Sequence, residues 1–139
     1  MRKIFDFHGG IHPPENKQQS VQEHIRPAGI PAELIIPLSQ HIGAPAATVV
    51  EVGDHVLAGQ VIAEASGFVS VAKHAPTSGI VSAIEDRKIA HPSGFTAPCI
   101  VITTDGKDEW VPLHAIDDYT SLEPAALLQR IRAAGIAGM

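Results

Sequence analysis

Eight histidines and a single cysteine are the residues of this 139-residue chain best able to do chemistry. His8, His12 and His24 are candidate metal ligands, and His8 and His12 have the i, i+4 spacing that sets two imidazoles on one helical face. Gly9-Gly10 and Pro13-Pro14 stand in the same segment and forbid a regular helix there, so solvated or turn-bound histidines are expected and no metal site. Cys99 stands alone. That excludes an intrachain disulfide and falls short of the four thiolates an iron–sulfur cluster takes. Its setting, the apolar run CIVIT, predicts a buried structural thiol, with no base or helix N-terminus beside it to activate it. The run HAPTSG puts His74, Thr77 and Ser78 beside Gly79 as possible donors to a partner, although a turn required by the fold accounts for the same residues.

The elements that must position these residues are short and β-rich. Val49 to Val81 reads as a series of strands punctuated by Gly, Pro or Asp. Gly53-Asp54 and Gly59-Gln60 supply turns around Val56-Leu57, and Val61–Ala63 forms the next strand. Phe68–Val71 alternates apolar and polar, as a half-buried strand does. Gly79 is expected to permit a reversal before Ile80-Val81. Glu33–Pro37 is an apolar stretch that Pro37 confines to an edge or a strand end. After Val81 a strand continues to Ile84, Glu85–Lys88 reads as a charged turn, and Cys99–Thr103 is a second apolar strand closed by Asp105-Gly106.

The flanks differ in character. Residues 1–33 form a polar arm marked by Gly and Pro, expected to lie extended along a neighbouring surface. Residues 34–104 form the β module, and residues 105–120 a connector anchored by Trp110 and Leu113. In residues 121–139, Ser121 is the expected N-cap, Pro124 sits in the first turn, and Leu127, Leu128 and Ile131 share a helical face. Arg130 and Arg132 suit the C-terminal end of that helix, and Gly135 its C′ stop. The apolar ending GIAGM predicts that the chain continues into a further domain.

Composition bounds the function. A hydrophobic content of 45% supports a core, but with only 4% aromatic residues that core must be built from Val, Ile, Leu and Ala. A formal charge of −5 argues against sequence-independent binding to nucleic acid, which needs a basic face. No apolar run approaches the roughly 18 residues of a membrane span, and MRKIFDFHGG lacks the apolar core of a signal peptide.

VEVGDHVLAGQ at Val50–Gln60 and APTSGIV at Ala75–Val81 resemble the two halves of the biotinyl- and lipoyl-carrier type of β fold. The fold class expected is therefore mainly β, a barrel-sandwich hybrid (biotinyl/lipoyl-like) module with an extended N-terminal arm and a C-terminal helix. The paired GD and APxxG segments read as a weak internal repeat. In the carriers, a lysine at a hairpin tip follows Glu-Ala. Here Glu64-Ala65 is followed by Ser66-Gly67-Phe68, with Gly67 where the modified lysine would be and Lys73 too late in the chain. The carrier function is thus disfavoured while the fold is retained. A second alternative is a phosphocarrier similar to sugar-transport IIA proteins, with His74 and His91 as its candidate histidines.

Three separated segments agree on a narrower resemblance. FHGGIHPPENK, the central stretch from IPAELIIPLSQHIGAPA through HAPTSG to HPSGF, and LLQRIRAAGIAGM look like the N-terminal part of the RnfC (RsxC) family. A related alternative is the A-type component of the Na⁺-translocating NADH:quinone reductase. The RnfC resemblance implies a peripheral component of the Rnf ion-translocating electron-transport complex, passing electrons between NADH and ferredoxin- or flavodoxin-type partners. Such a parent would bind FMN, NADH and two 4Fe–4S clusters through downstream segments. The 139 residues themselves are expected to bind none of these. Gly135 and Gly138 match the leading glycines of a cofactor-binding, glycine-rich loop that would only be starting here. The implied partners are the other subunits of the complex and the downstream flavin and ferredoxin domains. The implied location is peripheral, on the cytoplasmic face of the bacterial inner membrane. The role expected of the 139 residues is non-catalytic: a structural docking module.

Overall fold

A computed structural model describes residues 9, 10 and 13–137. Among these residues seven strands carry the fold: β1 Glu33–Pro37, β2 Ala47–Thr48, β3 His55–Val56, β4 Val61–Glu64, β5 Lys73–His74, β6 Gly79–Lys88 and β7 Thr96–Thr104. They form two antiparallel sheets, one of four strands in the order β1-β7-β6-β3 and one of three in the order β2-β4-β5. The chain is mainly β and takes the barrel-sandwich hybrid architecture. β1 is an edge strand, as Pro37 requires, since a proline has no N–H to give an inner ladder.

One core joins the two sheets. Ile36, Val56, Val81, Ile100 and Ile102 from the larger sheet meet Ile62 and Ala63 from the smaller, with Leu38, Ala46, Val50 and Ala75 from the connections. Every one of these side chains is aliphatic, so packing rests on interdigitated branched residues rather than on aromatic plates. Cys99 is fully enclosed, its thiol donating to the Ala97 carbonyl at 3.2 Å, and burial pushes its pKa up. It is the inert structural thiol its setting implies.

Several local expectations change. Phe68–Val71 is not a strand: Phe68 and Val69 are exposed, and the Val69 carbonyl turns to accept from Ala44 N–H at 3.0 Å, outside any ladder. Glu85–Lys88 is not a turn. These residues pair with Thr96–Cys99, so the β6–β7 hairpin extends past the core as a ribbon whose exposed faces suit charged side chains. The reversal comes later, through Ile89–Phe95, where His91 stacks on Phe95 at 4.5 Å between ring centroids. Gly79 makes no reversal; it opens β6, opposite Thr104. A Cβ there would meet the Thr103 carbonyl oxygen at 2.3 Å, so the position is small because two backbones touch.

The flanks are corrected as well. Every described residue from Gly9 to Glu33 is exposed, and the arm joins the module at its end, where the Pro31 and Ala32 carbonyls accept from Thr104 and Glu33 pairs with Thr103. Its apolar residues, Val21, Ile25 and Ile30, stand singly among polar ones and offer no face to bury. The helix, α1, spans Pro124–Ala133 with Glu123 rather than Ser121 at its N-cap. Ser121 instead ends a short 3-10 turn, Tyr119–Ser121, capped by Asp118, whose side chain accepts from Thr120 N–H at 2.9 Å. Leu113 is exposed and anchors nothing, whereas Trp110 does pair across to Ala58.

Candidate functional site

The HAPTSG run divides in two. Thr77 and Ser78 are enclosed, and their hydroxyls point into the chain rather than outward. Thr77 Oγ1 donates to Asp108 Oδ1 at 2.8 Å, and Ser78 Oγ donates to Asp105 Oδ1 at 2.7 Å while accepting from Glu109 N–H at 3.0 Å. Lys107 N–H completes the cluster by donating to Asp105 Oδ1 at 2.9 Å. His55 Nε2 lies 3.4 Å from the other oxygen, Asp105 Oδ2. Ser, Asp and His therefore do meet here, but with the carboxylate between the other two. A nucleophilic serine needs the imidazole beside it to take its proton. This geometry ties the 105–109 loop to the start of β6 and carries no acyl-transfer chemistry. The Ser78 hydroxyl, and next the Lys107 amide, hold the Asp105 carboxyl below its usual range.

The histidine pairing that a phosphocarrier needs is absent for His74 and His91. His74 ends β5 and His91 lies beyond the far end of β6, so most of that ten-residue strand, about 30 Å of chain, separates them. Lys73 is no exposed carrier lysine either, being 6% exposed within β5. His8, His12 and Gly138 lie outside the described residues. Among the described residues no cluster of three or more His, Cys, Asp or Glu side chains could hold a metal ion.

Gly135 is described, and its backbone explains its identity. It follows α1 at φ 71°, the left-handed conformation of a C′ glycine, with its N–H donating to the Arg132 carbonyl at 3.0 Å. A Cβ there would sit 2.8 Å from the Ala72 carbonyl oxygen and 3.2 Å from His74 Nδ1. The turn after α1 is thus pressed against the outer edge of β5.

Beside that contact the surface is open and apolar. A cleft of about 260 Å³ is lined by His41, Ile42, Phe68, Val69, Arg132 and Ala137, among others. Two loops build it, residues 39–45 and 65–71, held together where Gly43 meets Val69: a Cβ at Gly43 would fall 2.1 Å from the Val69 carbonyl oxygen. His41 braces the floor. Its Nε2 accepts from Val71 N–H at 3.3 Å, which leaves the ring proton on Nδ1 to be donated to the Ile42 carbonyl at 2.9 Å. Arg132 reaches across from α1 to donate to the Phe68 carbonyl at 3.4 Å. Ile42 at 91% and Phe68 at 93% exposure stand out at the rim, with Val69 beside them and Leu128 and Ile136 exposed on and after α1.

Sequence reasoning singled out neither His41 nor Arg132 for a site. His41 carries no motif, and the helix dipole alone accounts for Arg132. The available signal was Phe68, a large apolar residue directly after a Ser-Gly turn, which the alternation rule assigns to a strand interior.

Comparison with known proteins agrees with this architecture. The family model of the RnfC barrel sandwich hybrid domain matches residues 5–107. The chain is similar to the C-type component of the ion-translocating oxidoreductase complex of Vibrio cholerae O395, with 50% identity over 137 residues, covering 99% of this chain and 18% of that protein. The same component from Pseudomonas aeruginosa PAO1 is 50% identical over 139 residues, covering all of this chain and 18% of the relative. That of Haemophilus influenzae PittEE is 41% identical over 137 residues, 99% of this chain and 21% of the relative. The chain spans about a fifth of the length of the curated relatives it matches.

Proposed function

The chain belongs to the RnfC family, and from that membership we propose that it serves as a non-catalytic docking module of an ion-translocating oxidoreductase complex. One observation carries this reading: the exposed apolar rim formed by Ile42, Phe68 and Val69 around the cleft between the 39–45 and 65–71 loops and α1. Apolar residues scattered singly on a surface need no explanation, but a contiguous group beside a braced cleft marks an interaction site. The loops beneath it are fixed by backbone contacts and by the two-sided hydrogen bonding of His41, which suits a preformed binding face.

On this reading the partners are the other subunits of the complex, together with flavin and ferredoxin domains expected downstream from the RnfC resemblance. FMN, NADH and two 4Fe–4S clusters belong to those domains, and the electrons pass between NADH and ferredoxin- or flavodoxin-type proteins. Gly135 and Gly138 would open the glycine-rich loop of the flavin domain, with Gly135 also seating that loop against β5. The location is peripheral, on the cytoplasmic face of the inner membrane; no helix among the described residues is long and apolar enough to cross a membrane.

The test is a pair of substitutions at the equivalents of Ile42 and Phe68, each to aspartate, in a full-length relative. The expected result is a folded protein that no longer co-purifies with its complex, or whose NADH-linked activity falls at least about tenfold, as loss of one well-buried aromatic anchor would give. Normal assembly and activity in both variants would sink the docking role.

A further inference from the structure

Among the described residues, Lys73 is the one enclosed cation of the β module. It is 6% exposed, yet among those residues it makes neither a hydrogen bond nor an ion pair. No polar side-chain atom among them is sealed off without a partner, so the Lys73 ammonium must reach open space. That space is a second cleft, about 210 Å³, lined by Ile36, Gln40, Ala72, Lys73, His74 and Gly135. No carboxylate is among these residues.

A lysine so largely enclosed, its ammonium open only to a cleft and without an anion among the described residues, loses hydration that nothing there returns. Burial accordingly lowers the Lys73 pKa. Beside Lys73, Gln40 carries an amide that can donate, and His74 an imidazole that can donate from either nitrogen when protonated. The cleft is smaller than the roughly 300–1,000 Å³ of sites that hold drug-sized ligands. It has room for a single charged group.

We propose that the cleft between β5 and the turn after α1 is an oxyanion site, with Lys73 as the charged anchor and Gln40 and His74 as rim donors, taking a phosphate or carboxylate group. This goes beyond the docking role and does not depend on it, since the apolar cleft and the Lys73 cleft share no lining residue.

The experiment uses the 139-residue chain, labelled for detection of lysine Nζ and histidine ring signals. It is titrated separately with inorganic phosphate, acetate and, as control, sodium chloride at matched ionic strength. The expected result is a saturable shift of the Lys73 and His74 signals with phosphate or acetate. The stronger of the two arms identifies the oxyanion class. K73M should weaken binding at least about tenfold, as removal of a charge-assisted contact does, and H74Q should weaken it less. Heat denaturation provides a readout independent of the signals. K73M should melt above the wild type in anion-free buffer, and saturating anion should close that gap by raising the wild type alone. Shifts that stay linear with concentration, that chloride reproduces, or that persist in K73M would overturn the site.

Discussion

Thr77 and Ser78 are enclosed and hydrogen-bonded to the Asp105–Glu109 loop, whereas Lys73, a few residues earlier in the same connection, is enclosed with no partner among the described residues. Both halves of the run have the polar residues and turn signals that suggest a recognition loop. The difference lies in what the rest of the chain brings to them. Asp105 and Asp108 arrive beside the hydroxyls at the end of β7, because β6 and β7 are paired along almost their whole length. Among the described residues no comparable acid arrives beside β5, an edge strand paired with β4 and touched on its free side by the glycine turn after α1. Satisfied polar groups hold the fold together; unsatisfied ones are where a ligand or partner can add stability.

The largest effect is expected where the closed half meets the sheet. Gly79→Ala would place a methyl carbon 2.3 Å from the Thr103 carbonyl oxygen, which neither strand can yield without breaking the β6–β7 ladder. A loss on the order of 4 kcal/mol is expected, the range reserved for severe backbone or core conflicts. A urea-unfolding midpoint within error of the wild type would show that β6 is not pinned at its start.

Ser78→Ala comes next. It removes a buried hydroxyl that donates to Asp105 and accepts from Glu109 N–H. About 1–3 kcal/mol should be lost, the range for a hydrogen bond to a charged group together with one to a backbone amide. Thr77→Val, which preserves shape and breaks one bond to Asp108, should cost less. Equal costs for the two would mean that the network is not centred on Ser78.

Asp105 sharpens the same comparison through pH. Its carboxyl is held low by the Ser78 hydroxyl first and the Lys107 amide second. A carboxylate depressed in the folded state contributes stability that is in place above the unfolded value of about 3.9 and disappears as pH falls through the lower folded value. Asp105→Asn should therefore be less stable than the wild type near neutrality, and the gap should close in acid. Unfolding curves at a series of pH values check this, and a gap that widens toward low pH would contradict it.

The sequence made the sandwich itself legible, because its turn residues are chemically explicit. Gly53-Asp54, Gly59-Gln60 and Pro76 punctuate the chain where strands end, and Cys99–Thr103 shows its apolar run plainly. Glu85–Lys88 misled because charge was taken for a turn, although a ribbon that leaves the core exposes both faces and accepts charged residues. Phe68–Val71 misled because alternation signals a strand only when a neighbouring strand is there to pair with it. The two clefts were not legible at all. They depend on which loops the topology brings against α1, and on a Lys73 cleft whose lining among the described residues includes no acid. The carrier-type motif located Gly67 at a tip, but nothing in its spacing revealed that Ile42 would stand beside Phe68.

The smallest effect on stability should come from the apolar rim, and that is what separates a docking face from a core. Phe68 at 93% exposure has almost no surface left to lose on unfolding, so Phe68→Ser should change the stability of the 139-residue chain by no more than about 0.5 kcal/mol. If the side chain is instead buried on assembly, the same substitution would remove a large apolar contact from the interface and weaken association by about 2 kcal/mol or more. The two quantities are measured independently, one by urea unfolding of the 139-residue chain, the other by co-purification of the full-length protein with its complex. A rim that contributes to neither would be ordinary surface. A rim that contributes to unfolding as much as to assembly would be a core residue whose covering lies within the chain. Only the combination of a negligible unfolding effect and a large assembly effect fits a fold that closes one half of its central connection and leaves the surface beside the other half for a partner.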